Sequence, residues 1–161
     1  MSSSLPVLYR TAILPEWIDY NGHMNVAYYM LVFDKGTDAL FDSLGIGEAY
    51  RRETDRTVYA LEAHVTYQRE VKQDDAVRVE GRLVAADEKR LHVFHRMVRE
   101  SDGVLAATNE LLFLHVDLAG PRAAPFPEAA RRKIDALLAE HAALPAPTEL
   151  GRSISLDRRP R

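Results

Sequence analysis

The sequence predicts an α+β fold in which an antiparallel sheet curves around one long central helix. Three observations carry this. An apolar period of 3.6 residues runs over Val26–Leu44, runs of period two follow from Thr57 onward, and 161 residues suffice for one compact domain. A helix that is apolar over most of its circumference needs cover on several sides. Strands joined by tight turns form an antiparallel meander that can curl to supply it.

The elements follow in chain order. Residues 7–14 read as a strand ended by Pro15, and 16–24 as a loop. Asn25 is placed to cap a helix by accepting an otherwise unpaired backbone N–H. After it, Val26, Tyr29, Met30, Phe33, Thr37, Leu40, Phe41 and Leu44 share one face, and Gly45 and Gly47 supply the stop. In the next strand Tyr59, Leu61, Ala63, Val65 and Tyr67 are expected to face one way, and Glu62, His64, Thr66 and Gln68 the other. Gln73-Asp74-Asp75 makes a turn. Strands at Ala76–Ala86, Arg90–Arg99 and 104–116 are separated by 86–89 and by Ser101-Asp102-Gly103. Pro125 and Pro127 introduce an amphipathic helix, Glu128–Ala142. Residues 1–143 read as a single domain and 144–161 as a tail rich in proline and charge.

Composition narrows the function. A net charge of −3 gives no pull toward a phosphate backbone or an anionic membrane, so neither nucleic acid nor membrane is an expected partner. The absence of cysteine removes disulfides, thiolate metal sites and a thiol nucleophile, and suits a reducing cytoplasm. No basic-then-apolar leader opens the sequence, and no apolar run approaches the ~20 residues of a membrane span.

Chemistry concentrates in Asp19-Tyr20-Asn21-Gly22-His23-Met24-Asn25, just ahead of the helix. A helix amino terminus offers free N–H groups and a partial positive charge, which suits a developing oxyanion. Asp19 is the candidate base or nucleophile. Asn21 and His23 are candidates to orient the acid, a water or a carbonyl, and Gly22 lets backbone approach a substrate. The plainer reading makes Asp19 and Asn21 a turn and Asn25 a cap.

This segment resembles the active-site segment of hot-dog acyl thioesterases. Asp19, Gly22 and Tyr29 resemble the acid, glycine and tyrosine of the 4-hydroxybenzoyl-CoA thioesterase pattern. The alternation Asp19, Asn21, His23, Asn25 resembles plant acyl-carrier-protein thioesterases, whose tyrosine–x–arginine–glutamate segment is matched by Tyr67-Gln68-Arg69-Glu70. WIDYNGHMNVAYYMLVFD, LEAHVTYQREV and KRLHVFHRM are further similar to thioesterases of carnitine catabolism that act on betainyl-type CoA esters. The resemblance implies a hot-dog fold, an acyl-CoA substrate with no cofactor, and a homodimer or dimer of dimers with sites at the subunit interface. It leaves open the acyl group and the choice between CoA and carrier protein.

Other candidates surround this core. Glu62 and His64 are expected to reach a neighbouring subunit's site or to meet solvent, and Glu70 carries only the claim of the plant-enzyme match. Trp17, Tyr20, Tyr28, Tyr29 and Tyr67 are core or interface aromatics, or two or three of them cage a quaternary ammonium, with Glu62 or Asp34 supplying charge. His92 and His95, three apart on a strand, face opposite sides and make a poor metal pair. His115 reads as a strand-end packing residue and His141 as a cation at a helix carboxy terminus. No metal cluster is expected. Two other functions compete: a hot-dog hydratase or dehydratase, whose acid and histidine stand five apart where Asp19 and His23 stand four apart, and a non-catalytic acyl-binding module.

Overall fold

The computed structural model describes residues 5–157. The first four residues and 158–161, where the leader-free start and the end of the tail were read, lie outside the described residues. The chain runs β1 (Val7–Ala12), a 3-10 turn (Pro15–Trp17), α1 (Val26–Leu44), α2 (Glu48–Thr54), β2 (Arg56–Tyr67), β3 (Ala76–Ala86), β4 (Arg90–Arg99), β5 (Leu105–Asp117), β6 (Arg122–Ala123) and α3 (Glu128–Ala142). The sheet order is β1-β3-β4-β5-β2, antiparallel throughout, with the short β6 beside the end of β5. Strand β2 is therefore an edge.

Helix α1 lies against the inner face of the sheet because its sequence allows close approach there. A Cβ on Gly36 would come within 2.6 Å of Val79 Cγ1, so the absent side chain sets the spacing between α1 and β3. One cluster of buried side chains joins Leu40, Phe41 and Leu44 of α1 to Leu83, Val93, Phe113 and Ile134. A second joins Tyr29, Val32 and Phe33 to Ile13, Met24, Val71, Val79 and Met97. That second cluster anchors the loop ahead of α1. The helix ends as expected, with Gly45 in the left-handed region at φ 75°.

Four expectations need correction. Strand β1 stops at Ala12, two residues early. The segment after Gly47 forms the short helix α2, which the glycines had been read as closing off. Leu61 is a bulge, because the pairing with β5 shifts between Ala60 and Glu62. This reverses the alternation. Ala63, Val65 and Tyr67 face inward with Leu111, Asn109 and Ala107, whereas Tyr59 pairs with Leu114 on the outer face. Finally, His141 is buried, and its Nδ1 accepts the N–H of Leu83 at 3.0 Å. Burial holds its pKa below the usual histidine value, so it is a neutral packing group and not a terminal cation.

Cover for α1 is incomplete on the side of β2. Val26 is 60% and Met30 36% exposed, although both belong to the apolar face read from the sequence. Tyr67, Leu61 and Ala63 are exposed along the same edge. No helix among the described residues is long and apolar enough to cross a membrane.

Candidate active site

The polar loop folds into a small hairpin because its ends are pinned. Ile18 pairs with Met24, the Asp19 N–H donates to His23 O at 3.0 Å, and the Gly22 N–H donates to Asp19 O at 3.0 Å. Gly22 takes φ +77°, and an added Cβ there would meet nothing within 4 Å. The backbone angle, not crowding, makes glycine the natural residue. The Met24 N–H donates to Val71 O and the Asn25 N–H to Trp17 O, both at 2.9 Å, which ties the hairpin to the second core cluster. Asn25 Oδ1 then accepts the Ala27 N–H at 3.0 Å and starts α1. The plain turn-and-cap reading is thus correct as local structure, and it also aims the polar side chains.

Those side chains line a cavity of about 360 Å³ formed by Asp19, Asn21, His23, Met24, Val26, Tyr29, Tyr67, Gln68, Arg69 and Glu70. Asp19 Oδ1 accepts the backbone N–H of Asn21 at 2.8 Å. Among the described residues its second oxygen has no such tie. The opposite wall comes from the end of β2, where the N–H groups of Gln68 and Arg69 both donate to Ala106 O, at 2.8 and 3.1 Å. This irregularity turns the chain out of the sheet and brings residues 68–70 to the cavity. Tyr29 and Tyr67 meet edge to face with ring centroids 5.1 Å apart.

Electrostatics tie the two walls together. Burial raises the Tyr29 phenol above its ordinary pKa; nearby Tyr67, Glu70 and Asp19 add to this, against a backbone hydrogen bond from Val71. Burial also raises Tyr67. Both phenols therefore stay protonated donors at neutral pH. Glu70 is held below the usual carboxylate range by a bond from its own backbone N–H and then by the nearby His23. The cavity thus holds two carboxylates, an imidazole and neutral phenols at the positive end of a helix dipole, which suits water activation beside a polarised carbonyl.

Of the residues singled out from sequence, the structure gathers Asp19, Asn21, His23, Tyr29, Tyr67 and Glu70. Gly22 and Asn25 shape the loop without lining the cavity. Trp17 and Tyr28 stack on each other at 5.6 Å and Tyr20 is 97% exposed, so of the five aromatics only Tyr29 and Tyr67 line the cavity. Glu62 and His64 lie on the outer sheet face with Leu112 and Glu110, away from the cavity of their own chain. Asp34 is exposed on α1. Sequence reasoning missed Gln68 and Arg69 as cavity residues. They stood in the matched tyrosine–x–arginine–glutamate segment, but the bulge that turns them inward leaves no periodic trace. His92 pairs with Glu110 at 2.7 Å on the outer face, while His95 points inward to Thr37 Oγ1 at 2.9 Å, and His115 meets Tyr50 at 2.9 Å. Among the described residues no three His, Cys, Asp or Glu gather as a metal site.

Known proteins fit this geometry. The sequence profile of the thioesterase-like superfamily matches residues 13–134. A betainyl-CoA thioesterase of Pseudomonas aeruginosa is 40% identical over 96% of this chain and 97% of its own. A fused L-carnitine dehydrogenase/betainyl-CoA thioesterase of Rhizobium meliloti is 34% identical over 94% of this chain, which spans 30% of the fusion. A Staphylococcus aureus protein solved in complex with CoA superposes with a TM-score of 0.88 at 28% identity, covering 96% of this chain and 98% of that one. The chain belongs to the thioesterase-like superfamily and is a hot-dog thioester hydrolase.

Proposed function

We propose that the enzyme hydrolyses a small cationic acyl-CoA of the betainyl type, with Asp19 as general base. The observation that carries this is the meeting of Asp19, His23 and Glu70 with the Tyr29–Tyr67 pair in one cavity at the start of α1. With Oδ1 engaged by the Asn21 N–H, the other Asp19 oxygen is free to take a proton from water as that water adds to the thioester carbonyl. Charge collects on the carbonyl oxygen beside the helix terminus, which stabilises it. The intermediate then expels the thiolate, which takes up a proton, leaving free acid and CoA. Asn21 and His23 orient water and carbonyl.

The cationic acyl group is supported by the similarity to betainyl-CoA thioesterases, one fused to a carnitine dehydrogenase, and by chemistry. A trimethylammonium donates no conventional hydrogen bond and is held by aromatic faces and carboxylates. Tyr29 and Tyr67 offer the faces, and Asp19 and Glu70 the charge. The cage in this reading is two rings. A place in carnitine breakdown and in the cytoplasm follows from it. We also place the working form as a homodimer joined through β2, whose free edge and exposed Leu61 and Ala63 suit pairing with a second copy. The hydratase reading is not favoured, since the acid–histidine spacing departs from that pattern.

The test is thiol release from betainyl-CoA and from its neutral tert-butyl analogue, alongside aromatic and long-chain esters. The expected result is a preference of tens-fold for the cation, the factor that about 2 kcal/mol of cation–π stabilisation supplies. Equal efficiency on the charged and neutral pair removes the cation and leaves the thioesterase.

A further inference from the structure

We infer that residues 152–157 form an arm that crosses to a second copy of this chain and docks Ile154 and Leu156 on the outer face of its sheet. The inference rests on the dimer paired through β2, and adds a contact that edge pairing alone does not contain. The tail is laid across the strands. Arg82 on β3 donates from Nη1 to Leu144 O at 3.2 Å and to Pro145 O at 2.7 Å. The Gly151 N–H donates to Glu110 Oε2 on β5 at 2.7 Å. Arg82, Phe94, Glu110 and His64 are register neighbours on β3, β4, β5 and β2, so they form one row over the outer face. Phe94 points outward in that row and is nevertheless fully buried. The tail therefore follows the row toward His64 and the free edge of the sheet.

Past Gly151 the chain leaves its own surface. Residues 151–157 are all exposed, Ile154 by 93% and Leu156 by 103%. They alternate with Ser153 and Ser155, the period of an extended segment with one apolar side. The bulge at Leu61 supplies the matching surface. An antiparallel pair of β2 strands that uses the full length Arg56–Tyr67 sets His64 beside Tyr59 of the partner subunit. Tyr59 and His64, an odd number apart, would face opposite ways in a regular strand. The extra residue puts both on the outer face, over Leu114 and Glu110 of β5. The row that carries the tail thus continues onto the partner subunit's Tyr59 and then the partner subunit's Leu114. In this chain Tyr59 is 50% exposed and Leu114 is half-buried, an apolar pair open to the outside. The reach agrees. Two strand spacings from Glu110 are roughly 10 Å and three are roughly 14 Å. Extended residues advance about 3.3 Å each, which brings Ile154 over the first position and Leu156 over the second. Twofold symmetry puts the other arm at the opposite end of β2, so the two do not collide.

The experiment uses the fact that this chain has no cysteine, so introduced thiols are the only ones present. Ile154→Cys, Tyr59→Cys and the double variant, all at exposed positions, are oxidised mildly and run on a non-reducing denaturing gel, alongside light scattering of the wild type. The double variant is expected to yield at least tenfold more covalent dimer than either single variant, and to return to monomer with reductant. A monomer band with its thiols consumed means that the arm closes on its own chain. Thiols left free mean that it does not reach this patch, and equal cross-linking of the single variants means random collision. Each of these three results overturns the inference. Ile154→Ser with Leu156→Ser is expected to raise the dimer dissociation constant at least tenfold, since two apolar side chains per arm no longer leave water. An unchanged constant overturns the inference as well. A wild-type dimer without the cross-link removes the arm and leaves the β2 pairing, whereas a wild-type monomer removes both.

Discussion

Asp19 divides its two carboxylate oxygens between structure and chemistry, and single-residue changes separate those tasks. The turn bond comes from the backbone N–H of Asn21, so Asn21→Ala keeps it and removes only the amide side chain. We expect Asn21→Ala and His23→Ala each to lower kcat by at least tenfold with little change in KM, since both act at the reacting centre. Steady-state kinetics check this, and an effect confined to KM would make them binding groups. Tyr67→Leu is expected to erase the preference for a cationic acyl group while leaving the neutral analogue nearly unaffected, as measured by the ratio of the two kcat/KM values. At this scale the sequence was most informative where the residues are contiguous. Asp19, Asn21 and His23 occupy one turn, so reading the turn places them together. Glu70 and Tyr67 needed the fold to bring them across the cavity, and only family likeness pointed to Glu70. Trp17, Tyr20 and Tyr28 were near in sequence and still went elsewhere, because direction around a turn does not follow from spacing.

Among the elements, α1 and its contact with β3 position the site, and Gly36 is the point of closest approach. A methyl there would press on Val79, a branched side chain fully buried in the core. Gly36→Ala is therefore expected to destabilise the fold by about 1–3 kcal/mol through overpacking, despite alanine's better helix propensity. Urea unfolding checks the sign, and a stabilised variant would mean the helix shifts without cost. Helix α1, strands β3 and β4, and α3 were legible to the residue, because long periodic segments with clear stops leave little choice. Helix α2 was not, since seven residues between Gly47 and Asp55 carry no full apolar period. The Leu61 bulge was also hidden. Period two predicts a face for every residue of an uninterrupted strand, and one extra residue reverses all those on one side of it.

For the molecule as a whole, buried neutral histidines set its response to acid. Burial lowers the pKa of His95 to about 3, and also lowers His115 and His141. In the unfolded chain such groups take up protons near pH 6.5, while the folded protein does not. The stability these histidines contribute is therefore fully present above about pH 6.5 and falls with pH toward 3, by up to about 1.4 kcal/mol per pH unit for His95. Denaturant unfolding at pH 7, 6 and 5 tests this, and His95→Gln should flatten the slope. A slope unchanged by that substitution would locate the acid lability elsewhere. Assembly belongs to the same scale. Light scattering is expected to report a dimer, and an active monomer would contradict pairing through β2. The sequence pointed to the polar outer face of β2 as the meeting surface, whereas the exposed apolar flank of α1 and β2 is the stronger reason for a partner.

The central claim is that thioester hydrolysis is driven by Asp19 in the hairpin ahead of α1. The direct measurement is thiol release from betainyl-CoA by wild type and by Asp19→Asn, with circular dichroism and thermal melting run on both. The account predicts that the variant folds like wild type, because an amide oxygen can still accept the Asn21 N–H, and that its rate drops by roughly two to four powers of ten. Undiminished thiol release from a folded Asp19→Asn enzyme would contradict it.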